Sequence, residues 1–287
     1  MPVSDENSEN TYIIDTESAA EMARLIDQSR CMNEAMGSLF PDKIDLAGIH
    51  TVLDVACGPG EWVQEVASLY PHITLLGIDI SNLMIKFAAQ RTRVQKLTNA
   101  SFQVMDARTP LALASGAFDL VNARFMAAFL PRNDWPRVVQ EFARLTRAGG
   151  TIVLTETDIF EKGSTNSPAI EELNELCREA VYKAGLYSST GTFVTSVMEQ
   201  FLQEAGCRDI QKKWHTLDFS AGTAALPVIY SNLSFALKLV QPFLLKMVKT
   251  TQERLDELYE QGMQEMMRDD FRADTKLLTV WGVSQNS

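Results

Sequence analysis

The amino-acid sequence predicts an α/β protein built on a doubly wound, largely parallel sheet. Three observations carry that expectation. Between about residues 45 and 157, short β-rich runs alternate with longer stretches of helical spacing. Turn residues bound each run. Acids stand at or near the carboxyl ends of three of them, Asp54, Asp79 and Asp106. At 287 residues, 46% hydrophobic and 22% charged, with a mean hydropathy of −0.07, the chain can bury roughly three quarters of its unfolded surface without any covalent staple.

From the amino end, the first ten residues are polar and acidic and read against a secretory leader. Met22, Leu25, Ile26, Met32 and Met36 then fall near helical spacing over residues 16–36, with Asp15 or Thr16 as N-cap. That helix packs on the core or forms a lid over a ligand. Strands are expected at residues 51–56, 73–79, 101–105, 118–123 and 151–155, with helices at 61–69, 82–97 and 134–146 between them. Gly149-Gly150 is expected to stop the last of these helices. Beyond Asp158, helices are expected at 168–184 and 195–205 and a strand at 210–219. A helical stretch at 224–268, interrupted at Pro227 and Pro242, precedes a final strand at 276–283. Glu253, Asp256, Glu257 and Glu260 mark a solvated helix face. The expected division is a tail and helical lid over 1–44, a ligand-binding core over 45–160, and a part over 161–287 that completes the sheet and carries a cover at about 224–268.

A formal net charge of −11 excludes a surface built as a whole to neutralise nucleic-acid phosphates or anionic lipid. No apolar run approaches the roughly 20 residues that span a bilayer. Cys31, Cys57, Cys177 and Cys207 lie far apart with no C-x-x-C pair, so they read as free thiols and no metal site is expected. The expectation is a soluble, cytoplasmic protein with no nucleic-acid or membrane partner, its oligomeric state left open.

The segment Asp54-Val55-Ala56-Cys57-Gly58-Pro59-Gly60-Glu61-Trp62 takes a strand through a glycine turn into a helix. Glycine lets the main chain approach a ligand, and the helix start offers unpaired N–H groups, so the turn suits a nucleotide-like ligand. A dinucleotide fingerprint would need a third glycine where Val63 stands, and no Gly-Lys-Ser/Thr follows as a phosphate loop would require. Asp79 closes the second strand 25 residues after Asp54, where a doubly wound fold sets an acid against ribose hydroxyls. Asp106 closes the third strand in the same way.

With these residues in view, the chain resembles the class I S-adenosylmethionine-dependent methyltransferases, nearest to small-molecule enzymes of the ubiquinone/menaquinone-biosynthesis type. The resemblance rests on Leu53-Asp54-Val55-Ala56-Cys57-Gly58-Pro59-Gly60, Gly77-Ile78-Asp79-Ile80-Ser81, Met105-Asp106-Ala107, Phe118-Asp119-Leu120-Val121 and Arg147-Ala148-Gly149-Gly150. It implies a Rossmann-like sheet of seven strands with the last antiparallel, S-adenosyl-L-methionine as cofactor and S-adenosyl-L-homocysteine as product. It further implies that Gly58 and Gly60 contact the methionine part through main chain, that Asp79 binds the ribose, and that Asp106 accepts from the adenine amino group beside the Ala107 N–H. Asp54, Ile80 and Asn122 complete the cofactor set, and Tyr12, ahead of the first helix, matches an aromatic contact found in some relatives. Ala56 departs from the glycine frequent there, which implies looser packing.

Methyl transfer from a sulfonium needs positioning and exclusion of water more than a dedicated base. Glu156 and Asp158, just past the fifth strand, are candidates to orient an acceptor or accept its proton, and His215 is a weaker base candidate. His50 and His72 fall at the opposite end of the sheet and read as structural. Arg124 is placed to meet an anionic substrate or pair with one of those acids. Met126, Phe129, Phe235, Phe243 and Met247 suggest a pocket for a small, fairly apolar acceptor. The alternatives are a non-catalytic S-adenosylmethionine-binding or regulatory protein of the same fold, or an NAD(P)-dependent oxidoreductase.

Overall fold

The computed structural model describes residues 19–158, 160–186 and 193–285. Its centre is a seven-stranded sheet: β1 (Thr51–Val55), β2 (Thr74–Asp79), β3 (Ala100–Val104), β4 (Phe118–Arg124), β5 (Thr146–Thr157), β6 (Cys207–Asp218) and β7 (Asp274–Ser284). The spatial order is β3-β2-β1-β4-β5-β7-β6. β1 to β5 are parallel, and β7 runs antiparallel to both β5 and β6. The order reverses between β1 and β4, and such a reversal opens a crevice beyond the carboxyl ends of those strands.

Side-chain alternation assigns the two faces. Val52, Leu75, Leu120, Val153 and Trp281 pack under α2 (Glu61–Leu69) through Trp62, Val63 and Val66. Leu53, Val55, Val121, Ile152, Leu154, Leu278 and Val280 pack under α4 (Trp135–Leu145) and α6 (Met198–Glu204). Central strands covered on both faces are apolar at nearly every position, as in the Val52-Leu53 and Leu120-Val121 pairs. The third crossover helix, α3 (Asn82–Val94), starts at Ser81, whose hydroxyl accepts from the Met84 N–H.

The remaining helices form a cover with its own core. α5 (Pro168–Lys183), α7 (Leu226–Leu239), α8 (Gln241–Met247) and α9 (Gln252–Glu265) bury Ile170, Leu173, Cys177, Leu244, Leu255, Leu258, Met266 and Phe271 together. α1 (Ala19–Met36) lies against α7. Among the described residues no single helix is long and apolar enough to cross a membrane.

Several boundaries differ from expectation. Gly149-Gly150 does not stop a helix ahead of β5. That strand already begins at Thr146 opposite Phe118, and the glycines sit in a bulge where Gly149 takes a φ of +75° and a Cβ on Gly150 would stand 2.7 Å from the Asp119 carbonyl oxygen. Pro227 and Pro242 do not interrupt helices but begin them, since a first-turn proline gives up no intrahelical hydrogen bond. The helix expected at 195–205 is a 3-10 turn, Val194–Ser196, followed by α6. On α1 the half-buried positions include Met22, Leu25 and Ile26, whereas Glu21, Arg24 and Asn33 are buried alongside Cys31, Met32 and Met36. Its inner face is therefore partly polar, and the proposed caps Asp15 and Thr16 lie outside the described residues.

Candidate active site

The strand ends, α1 and the cover enclose a cavity of about 330 Å³. Its floor is the β1 turn. Ala56 and Gly58 both take left-handed backbone, with φ of +56° and +54°. For alanine that conformation costs roughly 1 to 2 kcal/mol. Ala56 nonetheless packs against the core beneath it, so its departure from glycine appears as backbone strain, not as looser packing. No atom lies within 4 Å of the point where a Cβ on Gly58 would stand, and Gly58 lines the cavity. Gly60 does not. A Cβ there would lie 2.7 Å from Phe102 and 2.9 Å from Ala88, so Gly60 serves the close approach of α2 to its neighbours.

Asp79 ties two strand ends together. One carboxylate oxygen accepts the Gly58 N–H at 2.9 Å and the other accepts the Ser81 N–H at 2.9 Å. With two lone-pair sites on each oxygen, an Asp carboxylate can take further donors. Ile80, Asp106 and Ala107 also line the cavity. Asp106 is clasped by Arg108, through Nε at 3.1 Å, Nη2 at 2.9 Å and the backbone N–H at 2.9 Å. Partial burial raises its pKa, but these Arg108 contacts outweigh that and hold it below the ordinary carboxylate value. To meet an adenine amino group, Asp106 must share or release Arg108.

Asp54 is 3% exposed and accepts from Asn122 Nδ2 at 2.8 Å. Burial lifts its pKa to about 6 against the pull of Arg124 and Asn122. Asn122 itself lies behind Asp54 and lines a smaller cleft with His215, Thr155 and Thr279, so it supports Asp54 and does not face the main cavity. His215 opens on that same cleft and does not line the main cavity, which leaves it poorly placed as a base. His50 and His72 are exposed near the amino ends of β1 and β2, as expected.

Arg124 pairs with neither Glu156 nor Asp158. It donates to Asn33 Oδ1 at 2.7 Å and Ser29 Oγ at 3.3 Å, and its guanidinium lies over the Trp62 and Phe125 rings at 5.7 and 5.8 Å. It therefore fastens α1 over the strand ends while still lining the cavity. Phe125 is left-handed, with φ of +58°, and opens a 3-10 turn, Met126–Ala128, whose N–H groups point at Glu156. Glu156 Oε1 accepts from Met126 N at 2.6 Å and Ala127 N at 3.2 Å. Only 2% exposed and in the cavity wall, its carboxyl is pushed up to about 8 by burial, despite those two donors. The Met126 side chain, by contrast, is in the core and reaches the site only through its backbone.

Neither acid is the solvated loop carboxylate that isolated residues at a strand end would suggest. Asp158 is 8% exposed, accepts from Thr195 Oγ1 at 2.8 and 3.0 Å, and is lifted by burial to about 6, but it does not line the cavity. Of the apolar cover residues, Phe129 faces the cavity. Phe235 is exposed, and Phe243 and Met247 pack within the cover.

Sequence reasoning missed the residues that do form the cover wall: Phe160, Ile170, Cys177, Ile229, Leu237 and Phe271. It also missed a buried polar group beside them. Arg24 donates to Glu21 at 2.6 and 2.7 Å and to Gln28, and Asn232 of α7 both accepts from Arg24 Nη1 at 3.3 Å and donates to its backbone carbonyl at 3.0 Å. A signal existed in the single asparagine within the apolar 226–248 stretch. Tyr12 lies outside the described residues. Among those described, no group of three or more His, Cys, Asp or Glu residues is arranged to hold a metal ion.

The arrangement has a polar end with strand-end acids and a free glycine cradle, and an apolar end under the cover, joined past a buried carboxyl. Comparison with known proteins agrees with it. Residues 52–150 match the methyltransferase domain family. The chain is 37% identical over 105 residues to nocamycin O-methyltransferase of Saccharothrix syringae, covering 36% of each protein. It is 30% identical over 114 residues to demethylmenaquinone methyltransferase of Lactococcus lactis, covering 39% of this chain and 44% of that one. The chain thus spans less than half the length of these curated relatives. Among solved structures, phosphoethanolamine N-methyltransferase 2 of Haemonchus contortus, in complex with phosphomonomethylethanolamine and S-adenosylhomocysteine, superposes with a TM-score of 0.55 at 16% identity, covering 95% of this chain and 59% of that one. The YcgJ protein of Bacillus subtilis gives 0.52 at 16%, covering 83% and 93%. Residues 52–150, which match the methyltransferase domain family, are the very ones that build the glycine turn and the acid-tipped strands, so this part of the chain is a methyltransferase domain.

Proposed function

We propose that the protein transfers a methyl group from S-adenosylmethionine to a small, largely apolar molecule held under the helical cover. The observation that carries this reading is the single cavity running from Gly58, Asp79 and Asp106 to Ile170, Leu237 and Phe271. When bound, the cofactor supplies a methyl group already activated on a sulfonium sulfur. The residues present fit it. Gly58 offers main chain with open space in front of it, Asp79 brings a carboxylate to the cavity at the end of β2 where ribose hydroxyls would lie, and Ile80 and Ala107 offer apolar contact and an N–H for the adenine. Asp54 borders the same pocket. The core over 45–160 thus holds the cofactor, and α1 and the 224–268 cover shut the acceptor away from water.

Glu156 orients the acceptor. Held protonated at neutral pH by its burial, it donates a hydrogen bond to a polar atom of the acceptor, and above its pKa of about 8 it accepts one. An apolar wall with one such polar group suits a small molecule bearing a single hydroxyl or carbonyl near the methylated atom. A transfer assay with labelled S-adenosylmethionine against a panel of hydrophobic phenols, enols and carboxylic acids tests the reading. Labelled product from at least one apolar acceptor is expected. Tight S-adenosylhomocysteine binding without transfer to any acceptor favours the non-catalytic alternative, and binding of NAD(P) in its place would overturn the cofactor assignment.

A further inference from the structure

The cover is two-faced. Inward, α7 lines the cavity with Ile229, Leu233 and Leu237, and Val240 at its end joins them. Outward, it exposes Val228 at 41% and Phe235 at 52%, and α8 exposes Leu245 at 40%. A helix with its side chains is about 10 to 12 Å across, so one helix separates the acceptor end of the cavity from the surroundings.

The charge of this segment of the chain opposes that of the whole. Between Phe219 and Gln252 there is no Asp or Glu, but there are three lysines, Lys238, Lys246 and Lys249, in a protein of net charge −11. Lys238 pairs with Asp256 at 2.7 Å. Lys246 and Lys249 are exposed, and among the described residues neither makes an ion pair. α7 and α8 together have the length and apolar character of a membrane span, but they bend by 43° at the break between them. That combination of an apolar face, flanking lysines and a sharp bend suits helices lying in a bilayer interface better than helices crossing it.

We propose that the outer face of α7 and α8 docks on an anionic lipid bilayer, from which an apolar acceptor enters the cavity past α7. Val228, Phe235 and Leu245 enter the acyl boundary, and Lys246 and Lys249 meet the lipid phosphates. The inference rests on the proposed apolar acceptor, and it runs against the expectation of no membrane partner. A net charge summed over the chain hides a cationic segment of this length.

Flotation with phosphatidylcholine vesicles, with and without phosphatidylglycerol, tests it on the full chain. The protein is expected to float with the phosphatidylglycerol vesicles and to be released as salt is raised. K246E/K249E and F235S/L245S, at exposed positions that do not line the cavity, are each expected to bind vesicles about tenfold more weakly, with unchanged S-adenosylhomocysteine affinity showing that they are folded. No flotation of the unaltered protein, flotation indifferent to salt and to both double variants, or capture by an acidic acyl carrier protein but not by vesicles would overturn the proposal. The salt dependence needs no variant, so a misfolded one leaves the test intact. Failure of the unaltered protein to bind S-adenosylhomocysteine counts against the methyltransferase reading alone, because vesicle binding is read independently.

Discussion

The two ends of the sheet treat their carboxyl groups in opposite ways. At the amino end, Asp119 accepts the backbone N–H groups of His50 and Thr51, both at 2.8 Å, and the Thr51 hydroxyl at 3.0 Å, and it pairs with Arg147. Partial burial pushes its pKa up, but these donors outweigh it and bring the group to about 2. At the carboxyl end, Asp54, Glu156 and Asp158 are more deeply buried and have fewer donors, and burial lifts them to about 6, 8 and 6. The first arrangement stitches β1 to β4 and β5. The second keeps acids near neutrality, poised to exchange a proton or a hydrogen bond, at the end where the crevice opens.

The largest expected effect breaks the amino end. Asp119→Ala leaves two backbone N–H groups and Arg147 without their acceptor and should cost about 3 kcal/mol in urea denaturation, while S-adenosylhomocysteine affinity stays within twofold. A comparable loss of affinity would show that the ends are not separate. Asp79→Ala should do the reverse, weakening S-adenosylhomocysteine in calorimetry by about 1 to 3 kcal/mol through loss of charge-assisted hydrogen bonds, with a smaller change in stability. Unchanged affinity in a folded Asp79→Ala protein would contradict the ribose assignment.

The third test uses pH. Because the folded pKa of Glu156 lies above the ordinary glutamate value of 4.5, its contribution to stability is fully present below about pH 4.5 and is lost as pH rises towards 8. Asp119 has the opposite sign: its contribution is present above about pH 4 and is lost as pH falls towards 2. Glu156→Gln should flatten the neutral limb, making the protein about 1 to 2 kcal/mol more stable than its parent at pH 8 and no more stable at pH 4.5. An identical slope between pH 5 and 8 in parent and variant would remove Glu156 from the account. The smallest effect is Ala56→Gly, which relieves the left-handed backbone and should raise stability by about 0.5 to 1 kcal/mol, net of the glycine entropy.

Much of the sheet was legible because its signals are local. The apolar runs at Val52-Leu53-Asp54-Val55 and Leu120-Val121, the glycine turn and the late strand, expected at 276–283 and found at Asp274–Ser284, each depend on neighbours within a few residues. The Gly149-Gly150 bulge was not legible, because two glycines read alike as a helix stop or as close approach to another strand, and only the Asp119 carbonyl opposite decides. The site divided the same way. Gly58, Asp79 and Asp106, expected from their place at strand ends, line the cavity, whereas Gly60, expected beside the ligand, does not line it and packs against Phe102.

The sequence by itself determined the alternation of strands and helices, the turn that presents Gly58, and the acids that tip β2 and β3, since all of these follow from spacing and backbone preference along the chain. Only the tertiary structure decided that Glu156 is buried and met by the Met126 and Ala127 N–H groups, that Arg124 holds α1 instead of an acid, and that Asn232 reaches Arg24. Burial and pairing depend on which distant segments pack together. A carboxyl group's charge state follows its surroundings, and no spacing rule states what will lie against a side chain 30, 91 or 208 residues away.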